Sequence, residues 1–190
     1  MKRVVKRYGW CVYALLFLCS TAIIPEGFVA ETLVHIPNGY ACIEDLNTGD
    51  EVFAHKLLTQ KNNCGHVTSA SIAAIGCHEV DTIIQLTIDD EIIELAEDQL
   101  LFVPLQRQWL PASQIREGMY LLGVPLHALR VKSVTRIEQR TYTHALSLQK
   151  YHTYAVGHQG IVVHNFGELV GIAIGTTEGL TFLQEKKGLV

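Results

Sequence analysis

Between residues 32 and 165 the apolar positions fall in short runs rich in β-branched residues, and polar clusters divide one run from the next. TLVHI (32–36), EVFAHK (51–56), HVTSASIAAI (66–75), DTIIQLTI (81–88) and EIIEL (91–95) each predict a strand. So do MYLLGV (119–124), LRVKSVTRIE (129–138), THALSLQ (143–149), TYAVG (153–157) and GIVVH (160–164). Turn chemistry lies between them at Pro37-Asn38-Gly39, Asn47-Thr48-Gly49-Asp50, Asp89-Asp90 and Gly157-His158-Gln159-Gly160. Helical character is confined to two short pieces, near Ile43-Glu44-Asp45-Leu46 and near 111–115. This many short strands predicts an all-β domain, either a sandwich or a partly closed barrel, and no internal repeat is evident.

The two ends differ from this body. Lys2, Arg3, Lys6 and Arg7 precede an apolar run from Trp10 to Leu18, and Ser20 and Ala22 suit a cut after Ala22. That is the layout of a secretory signal peptide, although the nearly uncharged stretch from Trp10 to Ile24 also suits an uncleaved anchor. Export, to the outside or to a periplasm, is the expected localisation. Past residue 165, glycines recur every fourth position at 167, 171, 175 and 179. They make either a flexible tail or a flat stripe that lets another helix approach closely. Membrane contact through the leader or the tail follows from the anchor and stripe readings. The expected organisation is therefore a leader over 1–26, a domain over 27–165 and a Gly-rich tail over 166–190.

Composition narrows the function classes. Apolar residues make up 48% and charged residues 18%, which suits a folded core, and the net charge is −4 with no Lys/Arg cluster beyond Arg7. Nucleic-acid binding has no electrostatic support. Outside the leader stand Cys42, Cys64 and Cys77, which allow one disulfide with a free thiol, or three reduced thiols. Cys64, His66, Cys77 and His78 are soft ligands, but an adjacent Cys-His pair poorly serves one ion. Neither a metal nor a cofactor is expected. No Gly-rich phosphate loop follows a strand, and no Ser-His-Asp signature occurs.

The chemistry concentrates where the strand GIVVH runs into Asn165. An asparagine there is either a turn former or a reacting group, with His164 beside it to move protons. The segment GFVAETLVHIPNGYACIEDLNTGDEVFAHK resembles the opening of a Hint (hedgehog/intein) domain, with its turn, Ile-Glu-x-Leu and Gly-Asp-x-Val in order. LAEDQLLFVPLQRQWLPASQIREGMYLL resembles that family's Thr-x-x-His block and the Trp-x-x-Ala that trails it. LQKYHTYAVGHQGIVVHN resembles the closing blocks, which end at His-Asn. The style is similar to Hint domains of bacterial secreted and polymorphic-toxin proteins, and it implies the horseshoe-like fold of short strands and hairpins.

The departures from the family bear on activity. Gly27 stands where the family has its nucleophilic Cys, and Ala96 and Gln99 stand where it has Thr and His. Glycine offers no sulfur for an acyl shift, and a carboxamide does not exchange protons near neutrality. Phe166 supplies no acceptor for ligation, so splicing is not expected. The C-terminal set is complete. The resemblance implies that the Asn165 side chain attacks its own carbonyl, cutting the Asn165–Phe166 bond in cis without a cofactor. It implies that His164 protonates the leaving amine or steadies the oxyanion, and that His152 takes the amide proton. An unperturbed imidazole titrates near ~6.5, so both roles are available at neutral pH. The alternative is a catalytically inactive Hint-fold binding or presentation module of an exported protein.

Overall fold

The apolar runs become twelve strands in one continuous hydrogen-bonded assembly. The computed structural model describes residues 26–56 and 66–164. Its strands are β1 (Phe28–Val29), β2 (Leu33–Ile36), β3 (Gly39–Cys42), β4 (Glu51–Lys56), β5 (His66–Ile88) and β6 (Glu91–Ala96). They continue as β7 (Leu100–Val103), β8 (Gln108–Pro111), β9 (Tyr120–Gly123), β10 (His127–Leu148), β11 (Thr153–Val156) and β12 (Ile161–His164). The two expected helical pieces are single 3-10 turns, Ile43–Asp45 and Ala112–Gln114. The leader and the Gly-rich tail lie outside the described residues.

Two expected breaks do not exist. The runs at 66–75 and 81–88 are one 23-residue strand, and those at 129–138 and 143–149 join in one of 22 residues that ends at Leu148. The stretch from Gly76 to Val80 separates the first two of these runs in sequence. In the fold it continues the ladder, with Cys77 opposite His144 and Glu79 opposite Tyr142. Register shifts between Glu138/Thr141 and Ser147/Leu148 absorb extra residues and bend this long β5–β10 ribbon. Because it is bent, the ribbon serves both parts of the assembly: its β5 strand pairs with β4 at one end and with β6 at the other. The result is the horseshoe of hairpins, all antiparallel among the described pairings.

A repeat, not evident in sequence, emerges from the hydrogen bonds. A hairpin (β2–β3), a 3-10 turn, a Gly-containing turn and a strand (β4) are matched by β7–β8, a 3-10 turn, a second Gly turn and β9. Gly49 donates to Ile72 and Ile72 to Asp50, while Gly118 donates to Val131 and Val131 to Met119. Each unit thus clips onto one strand of the ribbon in the same way. Only a few side chains are shared, such as Leu46 with Ile115, so similarity at this level of packing leaves little trace in the letters.

The core gathers between the two units. Phe28, Val34, Ile43, Ile72, Leu95, Ile115, Leu121, Val131, Leu146 and Tyr154 are essentially buried within one cluster. At about 25 cal/mol per Å2 of apolar surface removed from water, such residues carry most of the driving force for folding. β11 and β12 are buried almost along their length, in keeping with the aliphatic runs TYAV and IVVH. Their hairpin closes over Gly157–Gly160, both glycines taking positive φ (70° and 65°). The last strand is thereby held in the middle of the molecule, between β11, β9 and β7.

Candidate functional site

The end of β12 is where the two extremities of the domain meet. Antiparallel pairing sets His164 opposite Thr153 of β11 and opposite Leu100 of β7. His152, immediately before β11, therefore comes alongside, with its ring centroid 5.8 Å from that of His164. Trp109 of β8 lies edge-on to His164 at 4.9 Å, and Phe102 of β7 lies edge-on to Trp109 at 5.1 Å. His164 is half-buried in this ladder and His152 is exposed. Asn165 lies outside the described residues.

The three positions read from the resemblance as departures, Gly27, Ala96 and Gln99, lie at the same place. Gly27 enters β1 between β6 and β10, as Phe28 pairs with Leu95 on one side and His144 on the other. The Ala96 main-chain N–H donates to the Gly27 carbonyl at 2.9 Å. The Gln99 carboxamide is wholly buried: its Oε1 accepts the Gly27 N–H at 2.9 Å, and its Nε2 donates to the His164 carbonyl at 2.8 Å. Thr143 Oγ1 donates to the Glu26 carbonyl at 3.1 Å. The Glu26–Gly27 peptide is thus satisfied at both its polar atoms, as buried backbone must be.

Gly27 also has φ of 114°, a conformation that side chains rarely adopt. A Cβ there would overlap the His144 carbonyl oxygen and stand 2.7 Å from the carbonyl carbon. Residue 27 thus has neither a side chain nor room for one. Trp109 and Thr143 were not singled out from sequence as site residues. Trp109 had a signal, because it is the Trp of the Trp-x-x-Ala block; Thr143 had none.

Burial, followed by the neighbouring His152, pulls the His164 imidazole down to about 4. The expectation of an ordinary value near ~6.5 for this ring is corrected accordingly. At neutral pH His164 is an uncharged imidazole with one N–H donor and one acceptor nitrogen. It cannot serve as a standing cation. Buried Tyr154, against Phe28 with a 6.4 Å centroid separation, is likewise held neutral, its phenol pushed far up by burial and then by Glu26.

The His164 shift predicts a pH effect on stability. The unfolded ring binds a proton below ~6.5 and the folded ring only near about 4, so the unfolded state holds more protons in that window. Stability is complete above ~6.5 and is lost as pH falls toward about 4, by about 2 kcal/mol once partial exposure is discounted. Urea midpoints at pH 7 and pH 4.5, converted to free energies, should fall further for the wild type than for His164→Gln. Equal losses would show that this ring titrates normally. Carboxylates titrate in the same range, and the difference between the two proteins removes their share.

Among the described residues, no group of three or more His, Cys, Asp or Glu is placed to hold a metal ion. Cys42 and Cys77 are free thiols, and Cys64 lies outside the described residues. No helix among the described residues is long and apolar enough to cross a membrane.

The sequence profile of the pretoxin Hint domain matches residues 33–166. Among solved structures, the bacterial intein-like domain from Clostridium thermocellum superposes with a TM-score of 0.68 at 24% identity, covering 74% of this chain and 99% of that one. The gp41-1 intein superposes at 0.60 with 15% identity, covering 74% of this chain and 99% of its own. The TvoVMA intein gives 0.63 at 13% identity, with 74% and 98% covered. No curated protein matches. The described horseshoe of hairpins is the fold these structures share.

Proposed function

The chain belongs to the pretoxin Hint family, and from that premise we propose that it cuts its own backbone after Asn165 by cyclisation of that asparagine. The observation that carries the proposal is the β11–β12 hairpin, which brings His152 and His164 together at the end of the strand leading into Asn165. In the reaction the Asn165 Nδ2 lone pair attacks the Asn165 carbonyl carbon, the C–N bond to Phe166 breaks, and the carboxamide proton ends on the Phe166 amine. The products are a C-terminal succinimide at residue 165 and a free segment 166–190.

The electrostatics divide the work between the two rings. Neutral His164, half-buried against Trp109, offers an N–H to the oxyanion formed on the Asn165 carbonyl, a task that needs a fixed dipole rather than a charge. The alternative task of standing general acid does not suit a ring that is unprotonated at neutral pH. Exposed His152 is in contact with water and suits transient proton acceptance from Nδ2 and its return to the leaving amine. His164→Ala is expected to slow release of 166–190 by about 10²–10³-fold, and His152→Ala by about 10²-fold. Time courses of intact mass at pH 7 measure both.

The test of the proposal itself is the intact mass of purified full-length protein. A fragment ending at residue 165, one water lighter than its hydrolysed form, supports cyclisation. A tail that survives days at neutral pH sinks it. One observation favours a second reading, the inactive presentation module: the Glu26–Gly27 peptide is hydrogen-bonded into the sheet, with no room for a side chain at residue 27. Splicing is outside the proposal, since neither Gly27 nor Phe166 carries a nucleophile. The pretoxin membership and the basic-apolar leader support an exported protein whose tail is the released piece.

A further inference from the structure

Gln99 has been described above as a position where a catalytic imidazole is missing, yet few side chains in the molecule are so fully engaged. Its carboxamide is wholly buried and makes hydrogen bonds to three main-chain groups: the Gly27 N–H at 2.9 Å, the His164 carbonyl at 2.8 Å and the Leu100 carbonyl at 3.2 Å. The orientation of the amide follows from these partners alone. A peptide N–H can only donate, so the oxygen faces Gly27; two carbonyls can only accept, so the NH2 faces His164 and Leu100. Its own backbone is pinned as well, donating to Ala96 at 3.1 Å and accepting from Ala112 at 2.9 Å.

From this placement we infer that Gln99 is a positioning residue for cleavage after Asn165, joining the upstream junction at Gly27 to the peptide plane that precedes the reacting asparagine. The inference rests on the cleavage proposed above. The His164 carbonyl belongs to the peptide unit between His164 and Asn165. Holding its oxygen fixes that plane against the two imidazoles, so the groups that assist cyclisation and the peptide leading into the reacting residue share one frame. Presenting assisting and reacting groups in a fixed arrangement is a large part of what makes such a reaction fast. A carboxamide does this at every pH, because it presents one fixed donor group and one fixed acceptor and does not titrate near neutrality. The same side chain reaches the Gly27 N–H, so the downstream geometry depends on the upstream peptide remaining in its slot.

Two measurements on the full chain test this. In an Asn165→Ala background, which cannot cyclise, amide hydrogen exchange reports the bridge directly: the Gly27 N–H is protected, and Gln99→Ala exposes it. In the Asn165 chain, Gln99→Ala slows release of 166–190 by about 10²-fold. Gln99→Glu supplies a signature that a purely structural role would not move. The carboxylate form sets oxygen against the two carbonyls, whereas the protonated acid, which burial favours, regains a donor. The ratio of its cleavage rate to that of the wild type therefore climbs as pH falls. Unprotected Gly27 in the Asn165→Ala protein overturns the bridge. Folded Gln99→Ala cleaving at the wild-type rate, or a Gln99→Glu ratio flat with pH, overturns the positioning role. A wild-type chain that never cleaves overturns the proposed function and the role with it, while exchange at Gly27 still decides whether the bridge exists.

Discussion

Asn165→Ala is expected to abolish release of residues 166–190, lowering the rate by at least about 10⁵-fold to that of unassisted peptide hydrolysis. The size follows from the nature of the nucleophile. A carboxamide nitrogen is weakly nucleophilic, and its only advantage is that it is already tethered to the carbonyl it attacks. Effective molarities for well-oriented intramolecular reactions reach about 10⁵–10⁸ M, and alanine forfeits all of that. Asn165→Gln keeps the nitrogen but must close a six-membered ring from a chain with one more free torsion, so it should cleave far more slowly than asparagine. Intact mass over several days separates the three proteins. Release from the alanine variant at the wild-type rate would mean that a contaminating protease, not this chain, cuts the bond.

Much of this fold could be read from local pattern because local pattern is what sets it. The hairpin at Gly157–Gly160 has its glycines where positive φ is needed, and both 3-10 turns form where short helical character was expected. Failures occurred where tertiary pairing overrode local composition. The stretch from Gly76 to Val80 divides two runs in sequence, but opposite strand β10 it completes a ladder. Strands β1, β3, β7 and β8 were not foreseen, since FV, GYAC, LLFV and QWLP hold few of the β-branched residues that mark TYAV and IVVH.

The proximity of His152 and His164 was legible in the sequence, and their other partners were not. His152 and His164 could be named from their block and paired through the hairpin. What could not be named was the state of His164, because burial against β7 and β8 moves its titration and no neighbour in sequence does. Ala96 and Gln99 looked like losses because the letters report functional groups. In the structure Ala96 acts through its main-chain N–H, and Gln99 through hydrogen-bonding geometry rather than proton transfer. A substitution that removes acid–base chemistry can leave a hydrogen-bond pattern intact, and only coordinates distinguish the two.

Gly27→Ala is expected to destabilise the protein by about 3–5 kcal/mol, a large share of the roughly 5–15 kcal/mol that holds a domain together. Two costs combine. The first is backbone strain: at φ of 114° a Cβ-bearing residue pays about 1–3 kcal/mol. The second is steric. The Cβ would overlap the His144 carbonyl oxygen, and that carbonyl belongs to strand β10, paired with β1 at Phe28 and with β5 at Cys77. Relief requires moving two ladders rather than turning a side chain. Gly39 provides the control, because it shares the positive φ at 128° but has nothing within 4 Å of its Cβ position. Gly39→Ala should therefore show the strain alone, about 1–3 kcal/mol. Denaturant midpoints of the two variants measure the difference, and equal losses would show that β10 yields. The same crowding applies to Gly27→Cys. A thiol placed there arrives with its own destabilisation, finds Gln99 rather than an imidazole against the residue 27 amide, and should give no thiol-induced cleavage before residue 27. The expected block lies in the path of the backbone as well as in the missing thiol, and a single restored sulfur leaves that path unchanged.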